Sequence, residues 1–168
     1  MAPIASFLQW LEHTEFSTFL RESTLGEPIV ESIHVLTLTL FLGFAFLLDL
    51  RLLGLCLTRR RMSEVLAQFN PYLVVGFVIM ILTGSLLFVS DPVTFYPNTF
   101  LRVKMVMLIL AGLNVLVFNT TIGRKVDEWD EAPQTPRGAK VAAIISLLLW
   151  AAIVACGRAI AYTVPPPS

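Results

Sequence analysis

Four stretches of the chain carry no aspartate, glutamate, lysine or arginine: residues 32–48, 65–90, 105–123 and 141–157. Alone or with their flanks, they reach the roughly 20 apolar residues needed to cross a bilayer core. The pattern predicts membrane-spanning helices at about 29–57, 70–90, 99–122 and 139–163. Their boundaries follow local signals. A Thr24–Glu27 turn leads to Pro28 in the first turn of span one, which ends before Arg59, Arg60 and Arg61. Asn70-Pro71 reads as an N-cap and first helical residue opening span two. Asp91-Pro92 to Pro97-Asn98 reads as a turn-rich loop, and Pro165, Pro166 and Pro167 as the stop to span four. A polar loop with Arg124, Lys125, Asp127, Glu128, Asp130, Glu131, Arg137 and Lys140 joins the last two spans.

Ahead of the spans, residues 4–20 set Phe7, Leu8, Leu11, Phe16, Phe19 and Leu20 among Glu12, His13 and Glu15. That is an amphipathic surface helix, whole or broken, with Trp10 as an interfacial anchor. With no basic n-region, the segment does not read as a cleaved signal peptide. Composition agrees: 56% of residues are hydrophobic and 14% charged, against about 25% charged in soluble domains. The expected architecture is all-α, a transmembrane four-helix up-down bundle with an N-terminal amphipathic surface helix, forming one integral membrane domain over 1–168. Membrane lipid is the expected surrounding. A net charge of zero makes nucleic acid an unexpected partner. Cys56 and Cys156 have no metal-ligand spacing and read as small packing residues.

Lysine and arginine distribution sets an orientation. Arg51, Arg59–Arg61, Arg124, Lys125, Arg137 and Lys140 fall at one end of the spans, eight residues against the four at the other, Arg21, Arg102, Lys104 and Arg158. Both termini are therefore expected outside the cytoplasm. The same topology places His34 early in span one, Arg102 and Lys104 early in span three, and Arg158 late in span four, all in one outer third of the membrane. Glu31 and Asp91 share that level.

Ionisable groups within membrane helices are costly and mark functional sites by default. His34 shares a helical face with Leu38, Phe41, Ala45 and Asp49, a set that could shape a slot for a flat cofactor. A b-type haem needs an axial imidazole, apolar walls and cations for its propionates. His34 could supply the iron ligand. Lys104 could be a second ligand, propionate partner or proton donor, the catalytic candidate, and Arg102 and Arg158 could neutralise propionates. The plainer readings are a His34 that hydrogen-bonds to Glu31 or a neighbouring helix, and basic side chains that snorkel to the interface. Asp49 and Arg51 read as interface markers. Gly76, Met80 and Gly84 form a close-packing stripe, and Asn114 and Asn119 read as interhelical hydrogen-bonding groups. His13 reads as a solvated surface histidine, and as the remaining imidazole for a second axial position if the fold brought it over the bundle. The chain has no phosphate loop, HExxH, CxxCH or nucleophile elbow.

IHVLTLTLFLGFAFLLDLRLLGL, NTFLRVKMVMLILAGLN and LLLWAAIVACGRAIAY together resemble the bacterial four-span membrane proteins of the DUF6644 type. More distantly, the arrangement is similar to HemJ-type protoporphyrinogen oxidases and CopD-like membrane domains. HemJ-type proteins carry a first-span histidine followed by glycine and an arginine-leucine stretch, matched here by His34, Gly43 and Arg51-Leu52. Their third span opens on tryptophan-leucine-histidine-x-lysine, matched by Phe100-Leu101-Arg102-Val103-Lys104. The resemblance implies haem b at His34 with a functional Lys104. Arg102 departs from the motif histidine, and Asn119 stands where relatives tend to have another. The expected function is a haem-binding inner-membrane protein in electron transfer or quinone-linked oxidation, partnered by a quinone or redox protein. The rivals are a non-catalytic subunit of a larger or homo-oligomeric membrane complex, built on Gly76 and Gly84 contacts, and a lipid or ion carrier.

Overall fold

The computed structural model describes residues 2–130 and 135–163. In chain order the helices are α1 (Ala2–Glu12), α2 (Glu15–Glu22), α3 (Gly26–Leu53), α4 (Met62–Ser90), α5 (Pro92–Phe95), α6 (Thr99–Thr120), a 3₁₀ turn (Gly123–Lys125), α7 (Val126–Trp129) and α8 (Arg137–Thr163). The four spans are α3, α4, α6 continued through Trp129, and α8, each long and apolar enough to cross a membrane. Pro165–Pro167 and Glu131 lie outside the described residues.

The surface segment breaks where its sequence changes character. Thr14 caps α2, its hydroxyl accepting from the Ser17 amide, and His13 stands exposed in the turn between α1 and α2. Two side chains tie α2 to the end of span two. Ser17 Oγ donates to the Val89 carbonyl at 2.8 Å, and Arg21 reaches both the Ser90 carbonyl at 3.5 Å and Glu12 at 3.4 Å. These bonds satisfy carbonyls that a helix C-terminus leaves open. Trp10 is exposed and packs on Phe7.

Span one stops earlier than expected, at Leu53. Gly54 takes φ +79°, which lets the Leu55 amide bond back to the Leu50 carbonyl at 2.9 Å. This left-handed C-cap is available to glycine without a Cβ penalty.

Span two departs most from expectation. It begins at Met62, so Asn70 is no cap and Pro71 lies inside the helix. Proline there removes one backbone hydrogen bond and costs up to about 3 kcal/mol in a helix interior. The turns before it offset that cost by packing: Met62 and Leu66 join Leu52, Phe118, Ala139 and Ala143 in an apolar cluster drawn from all four spans. The N-terminus of α4 is capped from a distance, because the Asp130 carboxylate accepts the Ser63 amide at 3.0 Å together with the Ser63 hydroxyl. The Asp91-Pro92 loop contains the single-turn α5, its first turn capped by the Asp91 carboxylate at the Thr94 amide.

Span one packs along span two and also against span four, and span four along span three, while spans two and three have little close contact. A second cluster fills the middle of the bundle: Phe41 and Ala45, Ala111, and Trp150 with Ile153. Phe41 and Trp150 meet edge to face, 4.8 Å between ring centres. Gly76 lets Phe41 approach, since a Cβ there would lie 3.3 Å from the Phe41 ring. Asn98 caps α6 and its Nδ2 donates to Thr163 Oγ1 at 2.9 Å, pinning the start of span three to the end of span four.

Candidate functional site

His34 is buried against span two. Its Nδ1 lies 2.7 Å from Thr83 Oγ1, and Thr83 Oγ1 lies 2.7 Å from the Ile79 carbonyl. A carbonyl only accepts, so the threonine hydrogen goes to Ile79 and its oxygen receives Nδ1–H. In a neutral ring this arrangement leaves the lone pair on Nε2. The plainer expectation of an interhelical bond is therefore met, by Thr83 and not by Glu31, which is exposed. The ring rests on Gly84, where a Cβ would stand 3.3 Å from His34 Cε1. Gly76 and Gly84 are thus both used inside the bundle, between spans one and two, and are not free for a further subunit.

Lys104 comes to the same site from span three. It is half-buried, and its ammonium lies within electrostatic reach of His34. Its Nζ fits against Gly157 of span four, 3.7 Å from where a Cβ would lie, with the Cys156 thiol within electrostatic reach. Among the described residues it makes no hydrogen bond or ion pair. The depth argument holds for this pair.

The arginines share that level but turn outward. Arg102 and Arg158 are exposed, each engaged with a nearby tyrosine. Arg102 donates to the Tyr96 carbonyl at 3.1 Å and lies over that ring. Arg158 donates to Tyr162 Oη at 3.0 Å and lies over it too. Both behave as interface-seeking cations. His13 is exposed among Glu15, Thr18, Glu22 and Ser23, a solvated position on the surface helix.

Two polar positions differ from their expected roles. Asp49 is no interface marker: it is 5% exposed, bonded to Ser146 of span four, with Oδ2 lacking any partner. Ala45 and Leu52, about one turn before and after it on the same face, are buried too, so its closeness to the helix end in sequence does not bring it to the interface. Arg51, two residues on, is at the boundary and donates to the Arg60 carbonyl at 2.7 Å. Asn114 bridges to the Ala142 carbonyl at 2.9 Å as expected, whereas Asn119 is exposed and makes no side-chain hydrogen bond among the described residues.

The donor set can be tested against what it was expected to hold. Among the described residues no three His, Cys, Asp or Glu side chains gather to bind a bare metal ion. A haem asks less of the protein: one imidazole nitrogen with a free lone pair, its partner nitrogen anchored, and a cation nearby. His34 offers the nitrogen and Lys104 the charge. Thr83 was missed in the sequence, although it adjoins Gly84 of the small-residue stripe and lies level with His34 in an antiparallel pair.

No curated protein and no solved structure matches the chain. The family of unknown function DUF6644 matches residues 5–163, almost the whole sequence, and the protein belongs to that family.

Proposed function

We propose that the His34 end of the bundle binds a b-type haem, with His34 Nε2 as an axial iron ligand and Lys104 as the neighbouring cation. The observation that carries this reading is the Thr83 bond. It commits Nδ1–H to a fixed acceptor and leaves Nε2 as the ligating nitrogen, the arrangement in which a second-shell hydrogen bond orients a metal-bound imidazole. Lys104 adds a positive charge where a propionate or a transferred proton would need one. The short-motif likeness to HemJ-type proteins points to the same two residues.

Bound there, the haem would supply one-electron transfer. The chain would hold and orient the group, exclude water from it with the Phe41–Trp150 layer, and set its electrostatics through Lys104. A quinone or a redox protein is the corresponding partner class. We place the protein in a bacterial cytoplasmic membrane with the basic Arg59–Arg61 end facing the cytoplasm, on the positive-inside bias. Haem titration of the full-length protein in detergent tests the reading. The expected result is saturable binding at one haem per chain, lost in His34→Ala. Binding that is absent, or unchanged in that variant, contradicts it.

A further inference from the structure

The buried carboxyl of Asp49 has no part in the haem reading. It lies 15 positions from His34 along span one, roughly 22 Å at helical rise. The apolar layer of Phe41, Ala45, Ala111, Trp150 and Ile153 separates the two. On the other side Leu52 belongs to the cluster with Met62, Leu66 and Phe118. Asp49 is therefore enclosed between two apolar clusters, 5% exposed, with Oδ2 unpartnered. The Ser146 bond leaves only Oδ1 satisfied.

The groups facing it supply no counter-charge. Span four presents Ser146 and has no titratable residue between Lys140 and Cys156. Span two has none between Glu64 and Tyr72, and span three none between Lys104 and Arg124. On its own helix, Arg51 is committed to the Arg60 carbonyl. An ionised carboxylate here would leave a charged oxygen without a protein donor or cation, whereas a neutral acid leaves only one carbonyl-like oxygen unpaired. The difference in cost is large in an apolar medium.

We propose that Asp49 and Ser146 form an intramembrane proton-binding site at the basic end of the bundle, the Asp49 carboxyl holding a proton at neutral pH. The proton sits on the carboxyl and Ser146 Oγ fixes its orientation. The site is separate from His34 and stands whether or not haem binds there. It gives the protein a titratable group near each membrane face, with an apolar layer between them.

Infrared spectroscopy of the full-length protein in lipid, labelled with ¹³C-carboxyl aspartate, tests this directly. The chain has four aspartates; Asp91 and Asp130 lie outside the spans, and Asp127 is exposed at the very end of span three. A carboxylic-acid C=O band that shifts with the label at neutral pH, disappears in Asp49→Asn and moves in frequency in Ser146→Ala is the expected result. Where Asp49→Asn does not fold, the labelled wild-type spectrum decides alone. An aspartate signal that is wholly carboxylate at neutral pH overturns the proposal, as does an acid band that persists in folded Asp49→Asn.

Discussion

Thr83 sets the tautomer of His34: its hydroxyl hydrogen goes to the Ile79 carbonyl 2.7 Å away, so its oxygen can only receive the hydrogen of His34 Nδ1. Thr83→Val keeps the side-chain shape and removes the acceptor, leaving a buried N–H unpaired. Interhelical hydrogen bonds in membranes contribute about 0.6 kcal/mol on average and up to about 1.7. The variant is expected to lose stability in that range. Nitrogen NMR of the labelled imidazole should show the Nδ1–H tautomer in wild type and a mixture in Thr83→Val. An unchanged tautomer would remove Thr83 from the account.

Gly84 and Gly76 allow a comparison along one helix. A Cβ at Gly84 would meet the His34 ring, and one at Gly76 the Phe41 ring, each at 3.3 Å. Valine at either position overpacks the contact between spans one and two and is expected to cost about 1–3 kcal/mol. Thermal unfolding in detergent should register both. Only Gly84→Val should also displace the imidazole and weaken haem binding; an equal loss in Gly76→Val would mean that stability alone is being read.

Lys104→Met keeps the apolar stem and removes the charge beside His34. A group of this kind typically changes metal-site affinity by about 10–100-fold. The expected outcome is weakened haem binding with His34 ligation retained, measured by titration. A complete loss of the ligated spectrum would instead make Lys104 an iron ligand.

The distant cap on span two gives a pH dependence. Partial burial acts against ionisation of Asp130, but the hydrogen bonds from Ser63 and the Met62 backbone outweigh it and hold the carboxyl below the usual carboxylate range. Its stabilisation is therefore fully present above the unfolded value of about 3.9 and fades as pH falls through the lower folded value. Asp130→Ala should cost about 0.5–2 kcal/mol near neutrality, the usual range for a lost N-cap. Unfolding curves of wild type and variant should begin to approach each other only below about pH 4 and meet below the lower folded value. A gap that is independent of pH would show that the carboxylate charge is not involved.

The spans and their common outer level were legible because charge-free runs are unambiguous in a bilayer, and depth alone paired His34 with Lys104. What failed was information carried by neighbours. Asn70-Pro71 has the chemistry of a helix start, yet residues 62–69 are held helical by Leu52, Phe118 and Ala139, which no local window contains. Asp49 reads as a boundary residue by position, and only the register of span four, which puts Ser146 beside it, shows that it is enclosed. Arg102 and Arg158 share the depth of His34, but each has a tyrosine close at hand and an interface within reach of its long stem. Depth along the membrane is written in one helix at a time, whereas direction around the helix axis depends on packing.

The central claim is His34 ligation of haem, and the absorption spectrum of the full-length protein expressed with ample haem tests it most directly. The account predicts a Soret band in wild type, lost in His34→Gly and restored by added imidazole, which can occupy the place of the missing side chain. A wild-type protein without a Soret band, or one whose band is the same in His34→Gly, would contradict it.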